Sequence, residues 1–160
     1  GSGIPFGTIM IMSGKFKTGK TSLSLHIAKK AQQQNRKVFF QDIEVRLKKR
    51  DIEGIKDLDP NKIEVIVSSA GNILSAEKQL QITEKLVKSE PGCIIIMDSI
   101  SQLYAEKQMS EDLGKGGRDS KFLLLSDFCK RIEAPLRING CIIIMTIIMA
   151  QNGKNTKQEQ

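Results

Sequence analysis

One histidine and three cysteines are too few to build a zinc cluster. Cys93, Cys129 and Cys141 stand at no metal-like spacing, and each lies among apolar neighbours. They read as reduced thiols packed as small hydrophobes. Long hydrophobic runs are also missing: none approaches the ~20 residues a helix needs to cross a bilayer. The longest, 141–150 with Thr146 inside it, fits a buried strand better. No charged leader precedes an apolar stretch at the N-terminus, so no secretory signal is visible. The expectation is an intracellular protein with no membrane partner. No internal repeat is visible either.

What remains is an ordinary globular composition. The 160 residues are 39% hydrophobic and 27% charged, enough to bury the core of one domain. A formal charge of +7 suits a polyanionic partner, and it suits plain solubility equally well.

Short apolar runs alternate with helical periodicity, the pattern of parallel βαβ units. Strands are predicted at 9–13, 38–41, 63–67, 93–98 and 141–148, the first of them buried. A helix at 21–34 carries Leu23, Ile27, Ala28 and Ala31 on one face, and one at 75–89 carries Ala76, Leu80, Thr83 and Val87. Residues 93–98 are apolar on both faces until the final Asp98, as expected of a central strand covered by helices on both sides. A long helix from 119 to about 138 would bury Phe122, Leu125, Cys129 and Ile132, and Pro135 should kink or break it. Residues 106–118, with Gly114, Gly116 and Gly117 among charges, read as a mobile loop, and polar 151–160 as disordered.

The first strand runs into Gly14-Lys15-Phe16-Lys17-Thr18-Gly19-Lys20-Thr21, a full G-x-x-x-x-G-K-[ST] phosphate loop, with Ser22 next in line. The glycines let successive backbone N–H groups curl toward phosphate oxygens, and the following helix adds its unpaired amides and positive end. Lys20 would reach the outer phosphates and the Thr21 hydroxyl would hold magnesium, so the expected ligand is ATP with Mg2+. Asp98, at the tip of a buried strand, is the expected second magnesium partner; simple capping of the next turn is the alternative. Gln41-Asp42-Ile43-Glu44 places two more carboxylates at a strand end, where Glu44 could orient or deprotonate an attacking water. Acidic strand ends are common, and that segment alone decides nothing.

Taken in order, Gly3-Ile4-Pro5-Phe6-Gly7, the phosphate loop, Gln41-Asp42-Ile43-Glu44 and Met97-Asp98-Ser99-Ile100 resemble the core of the RecA/Rad51 recombinases. Arg131-Ile132-Glu133-Ala134-Pro135 and Ser110-Glu111-Asp112 are most similar to the UvsX-type branch of T4-like phages. The resemblance implies a doubly wound α/β fold, a P-loop NTPase core with a mainly parallel sheet of order 3-2-4-5-1. It implies that Glu44 is catalytic together with Lys20, and that the protein is a DNA-dependent ATPase forming filaments on single-stranded DNA. It further implies that 106–118 is a first DNA-binding loop and 151–160 the start of a second. Lys115, Arg118, Lys121, Lys154 and Lys157 would then contact DNA phosphates, although such lysines also simply solvate loops. The cytoplasm, or a host cell's cytoplasm for a phage protein, would be its place.

Three departures accompany the resemblance. The family's polar γ-phosphate sensor at the last strand tip is matched by Thr146 and Ile147. The basic run Val45-Arg46-Leu47-Lys48-Lys49-Arg50 replaces its adenine-stacking segment, and contact with nucleotide, with a neighbouring subunit or with water alone are all open. The expected organisation is a core over 1–150, truncated at both ends, and a DNA-binding loop from 151. Other readings compatible with the sequence are a helicase or clock-type ring ATPase of the same superfamily, and a nucleotide-binding module without turnover.

Overall fold

A computed structural model describes residues 3–15, 19–101, 103 and 117–148, with the side chains of 117–122 left out. Its elements are β1 (Thr8–Gly14), α1 (Lys20–Gln33), β2 (Val38–Asp42), α2 (Lys49–Glu53), β3 (Ile63–Val67), α3 (Ala76–Ser89), β4 (Ile94–Asp98), α4 (Gly117–Asn139) and β5 (Ile142–Ile148). The five strands form one parallel sheet of order β1-β5-β4-β2-β3, the expected order read from its other edge. Parallel pairing puts every strand's C-terminal tip on one side. Asp42 lies opposite Asp98, and Gly14 opposite Ile148.

The strands alternate their side chains between two cores. Phe39, Ile95, Met97, Ile143 and Met145 meet Leu80 and Val87 of α3 and Phe128, Ile132 and Leu136 of α4. On the other face Val38, Phe40, Ile94, Ile96, Ile142 and Ile144 meet Leu25, Ala28 and Ala31 of α1 and Ile52 of α2. Burying each of these large side chains contributes about 1.5–3 kcal/mol. Two-sided burial explains why β4 and β5 read as unbroken apolar runs. β1 and β3 are instead the sheet's edges. The expectation that β1 is buried fails, since only Met12 of that strand is buried and Ile11 is exposed.

Two helices also differ from expectation. α1 buries Ser24, Leu25, Ala28 and Ala31, while Leu23 points outward, 50% exposed. Small residues bring this helix close to the sheet. Leu23 and Ile27 join Ile4, Pro5 and Phe6 along a surface cavity beside it. Pro135 does not end α4, which runs on to Asn139. Ile132 and Leu136, both buried against the sheet, hold the helix on either side of the ring. α4 also begins at Gly117, so Arg118 lies in a helix rather than in a loop. α3 starts at the Ser75 cap, whose hydroxyl accepts from Lys78 N at 3.2 Å.

The N-terminal lead-in is fastened to the end of α4. Gly7 adopts φ +74°, and a Cβ there would lie 2.8 Å from Arg137 Cα, so only glycine fits. Its N–H donates to Cys141 O at 2.9 Å. The Arg36 guanidinium stacks on Phe6, 4.1 Å from the ring centre, and donates to Gly140 O at 3.1 Å. Cys93 and Cys141, both buried, bring their Sγ atoms to 3.7 Å across β4 and β5 as free thiols, and Cys129 is a third free thiol. Hydrogen bonding to Cys141 and burial push the Cys93 thiol's pKa upward. No helix among the described residues is long and apolar enough to cross a membrane.

Candidate functional site

The strand tips and the start of α1 border an open cavity of about 560 Å3, lined by Gly19, Lys20, Thr21, Glu44, Asp98 and residues 45–48, 50 and 51. Gly19 takes φ +81°, a left-handed conformation that a glycine reaches without strain, and this turns the chain into α1. Lys20 folds back so that its Nζ donates to Gly14 O at 3.1 Å and Lys15 O at 2.7 Å. Its ammonium therefore lies against the backbone carbonyls of Gly14 and Lys15. Thr21, one residue on, donates its hydroxyl to Asp98 Oδ2 at 2.7 Å, spanning 77 positions of sequence. Asp98's other oxygen, Oδ1, accepts from Thr146 of β5 at 2.6 Å.

Glu44 is carried to this spot by its backbone. The Ile43 and Glu44 N–H groups both point at Asp98 O, at 2.9 and 3.3 Å. Asp42 then shapes the loop, its carboxylate accepting from Arg46 N at 3.1 Å and Leu47 N at 3.0 Å. The loop forces Val45 to φ 55°, a conformation β-branched residues avoid. Thus the two acidic residues of this segment separate in role: Asp42 organises the turn, and Glu44 faces the cavity. Burial first, then the Asp98 carboxylate, raises the Glu44 pKa above its ordinary 4.5, against the opposing pull of Arg46 and Lys20. Arg46 Nε stands 3.9 Å from Glu44 Oε2, a loose ion pair.

Sequence reasoning left the basic run open, and the structure places it. Arg46, Lys48 and Arg50 line the same cavity as Lys20 and Glu44, beside Asp51. Sequence reasoning matched the last strand's sensor position to Thr146 and Ile147, and the structure gives β5 a different arrangement. Ile148, not Ile147, is the residue of β5 that lines the cavity. Thr146 is wholly buried and bonded to Asp98, and its signal was one polar residue in the apolar run 142–148. Ser22 is exposed and does not line the cavity. Phe16, Lys17, Thr18, Lys115, Lys154 and Lys157 lie outside the described residues, as do the side chains of Arg118 and Lys121.

The donor set is hard oxygen only, a Thr21 hydroxyl and an Asp98 carboxylate already 2.7 Å apart. No group of three or more His, Cys, Asp or Glu suited to a metal occurs among the described residues. That suits magnesium, which takes one or two protein ligands and completes its shell with phosphate and water, and does not suit an all-protein cage.

Comparison with known proteins carries this arrangement to a family. A family model for the RecA N-terminal domain matches residues 1–153. The chain belongs to the RecA family. It is similar to Protein RecA of Rickettsia bellii (strain RML369-C), with 30% identity over 142 residues, 89% of this chain and 40% of that protein. Protein RecA of Rickettsia canadensis (strain McKiel) is 29% identical over 142 residues, again 89% of this chain and 40% of that one. Protein RecA of Paracoccus denitrificans is 28% identical over 142 residues, covering 89% and 38%. This RecA-family chain thus spans about two fifths of the length of the curated relatives it matches.

Proposed function

We propose that the chain is the ATP- and magnesium-binding core of a DNA-dependent ATPase of the strand-exchange class, acting as filaments on single-stranded DNA. The observation that carries the proposal is the meeting of Lys20, Thr21, Glu44 and Asp98, from α1 and two adjacent strand tips, at one cavity. In this reading the backbone N–H groups at the start of α1 cradle the phosphates. The Lys20 ammonium exchanges the Gly14 and Lys15 carbonyls for phosphate oxygens. Magnesium, held by Thr21 and Asp98, supplies charge neutralisation on the phosphates when bound. Glu44 stands ready to orient a water for attack on the terminal phosphorus. As the new P–O bond forms and the bond to the leaving diphosphate oxygen breaks, the water's proton passes to Glu44. A carboxylate with a raised pKa is the better proton acceptor.

Membership of the RecA family and the +7 formal charge support single-stranded DNA as the partner. Within the family, the 131–135 and 110–112 segments favour the T4-type phage branch. One observation favours a binding module without turnover: the β5 tip at the cavity is the apolar Ile148. ATP hydrolysis measured with and without single-stranded DNA separates these readings. Glu44→Gln should keep nucleotide binding and lower turnover about 100-fold or more, and Lys20→Ala should lose nucleotide binding. A turnover rate unchanged by Glu44→Gln would favour the binding module. No stimulation by DNA, with closed rings in the electron microscope, would favour a ring ATPase.

A further inference from the structure

We propose that Thr146 is a positioning residue that holds the Asp98 carboxylate in the orientation a divalent cation requires. This rests on the nucleotide and magnesium reading of the site. Thr146 is fully buried in β5, flanked by Met145 and Ile147 in a strand that is otherwise apolar. A hydroxyl there is costly unless it is bonded, and valine would fill the same space without that demand. The bond it makes is to the carboxylate: 2.6 Å to Asp98 Oδ1, against 3.4 Å to Met97 O. The shorter distance is that of a hydroxyl donating to a charged oxygen.

Asp98 is therefore clamped at both oxygens from different elements, Oδ1 by β5 and Oδ2 by Thr21 of α1. The terminal torsion of an aspartate is broad and poorly fixed by its own rotamer, so these two donors set the plane of the carboxylate. The two bonds are not equivalent. Thr21 is itself an oxygen ligand to be recruited by a cation, whereas Thr146 is buried on the neighbouring strand and is not part of the cavity lining. Once Thr21 turns to the cation, Thr146 is the hydroxyl that still holds Asp98.

The test titrates the chain with a fluorescent ATP analogue, with magnesium and with EDTA, for the parent, Thr146→Val and Thr146→Ser. In Thr146→Val the affinity gained from magnesium should fall about 10-fold or more, the usual effect of removing a partner that orients a metal ligand, while affinity in EDTA stays within about twofold. Thr146→Ser should restore the parent's magnesium response. In an Asp98→Asn background, Thr146→Val should add no further loss. Thermal melting checks that each variant folds, and Thr146→Ala serves in place of valine should that variant melt early. An unaltered magnesium response in Thr146→Val, or equal weakening with and without magnesium, overturns the inference. A parent that binds no nucleotide under either condition overturns the site reading itself, and the inference with it.

Discussion

Removing the Gln41 amide should destabilise the protein, and removing its polar neighbours as well should give most of that stability back. Gln41 of β2, with Gln79 and Thr83 of α3, forms a buried polar knot between sheet and helix. Gln41 Nε2 donates to Gln79 O at 3.0 Å and to Gln79 Oε1 at 2.9 Å, while its Oε1 accepts from Thr83 Oγ1 at 2.5 Å. In Gln41→Leu the Thr83 hydroxyl keeps Gln79 O at 3.0 Å, but Gln79 Oε1 loses its donor. A buried acceptor left unmatched costs about 1–3 kcal/mol, partly offset by the added apolar side chain. For a chain of this size about 2–4 °C of melting temperature accompanies each kcal/mol, so a fall of about 2–12 °C, less that offset, is expected. The triple change Gln41→Leu, Gln79→Leu, Thr83→Val leaves no partner stranded and should lie within about 1 kcal/mol of the parent. Urea unfolding followed by circular dichroism, at unchanged slope, measures both. Gln41→Leu as stable as the parent would refute the reasoning, and so would a triple variant whose loss equals the sum of three single losses.

Two further outcomes are expected. Because burial and Asp98 raise the Glu44 pKa, the folded state holds that proton more tightly than the unfolded chain. Stability is therefore lost as pH rises from the ordinary 4.5 through the folded-state value. Glu44→Gln escapes that loss, so its melting temperature relative to the parent should climb over this window and then level off; a difference that is flat with pH would contradict the assignment. Pro135 removes a donor inside α4, so Pro135→Ala should raise stability by about 1–3 kcal/mol in the same urea experiment, less whatever the ring contributes by stiffening the unfolded chain. An unchanged or lower midpoint would mean that the helix is locally adapted to the ring.

Local chemistry wrote the buried strands β4 and β5 and the helix that begins near Ser75 into the chain, because each depends on neighbours a few residues away. Periodicity also located α1 and put Ala28 and Ala31 on its buried face, but it set Leu23 there instead of Ser24 and Leu25. Ser24, Ala28 and Ala31 seat α1 on the sheet because small side chains permit close approach, and a count of hydrophobic residues favours Leu23 instead. Sheet order had no source in spacing or composition and rested on resemblance alone. The edge position of β1 is a property of the assembled sheet, which no window of sequence contains.

The site divides along the same line. From the sequence came Lys20, Thr21, Glu44 and Asp98 as single residues with expected chemistry. Folding decided that Asp42 would shape the loop while Glu44 faced the cavity, and that Arg46, Lys48 and Arg50 would line the same space. It also turned Thr146 from an apparent mismatch into the second anchor of Asp98, 48 positions away in the chain. Parallel pairing is the physical reason: it gathers the ends of distant strands at one edge, and only there do their side chains come within hydrogen-bonding reach.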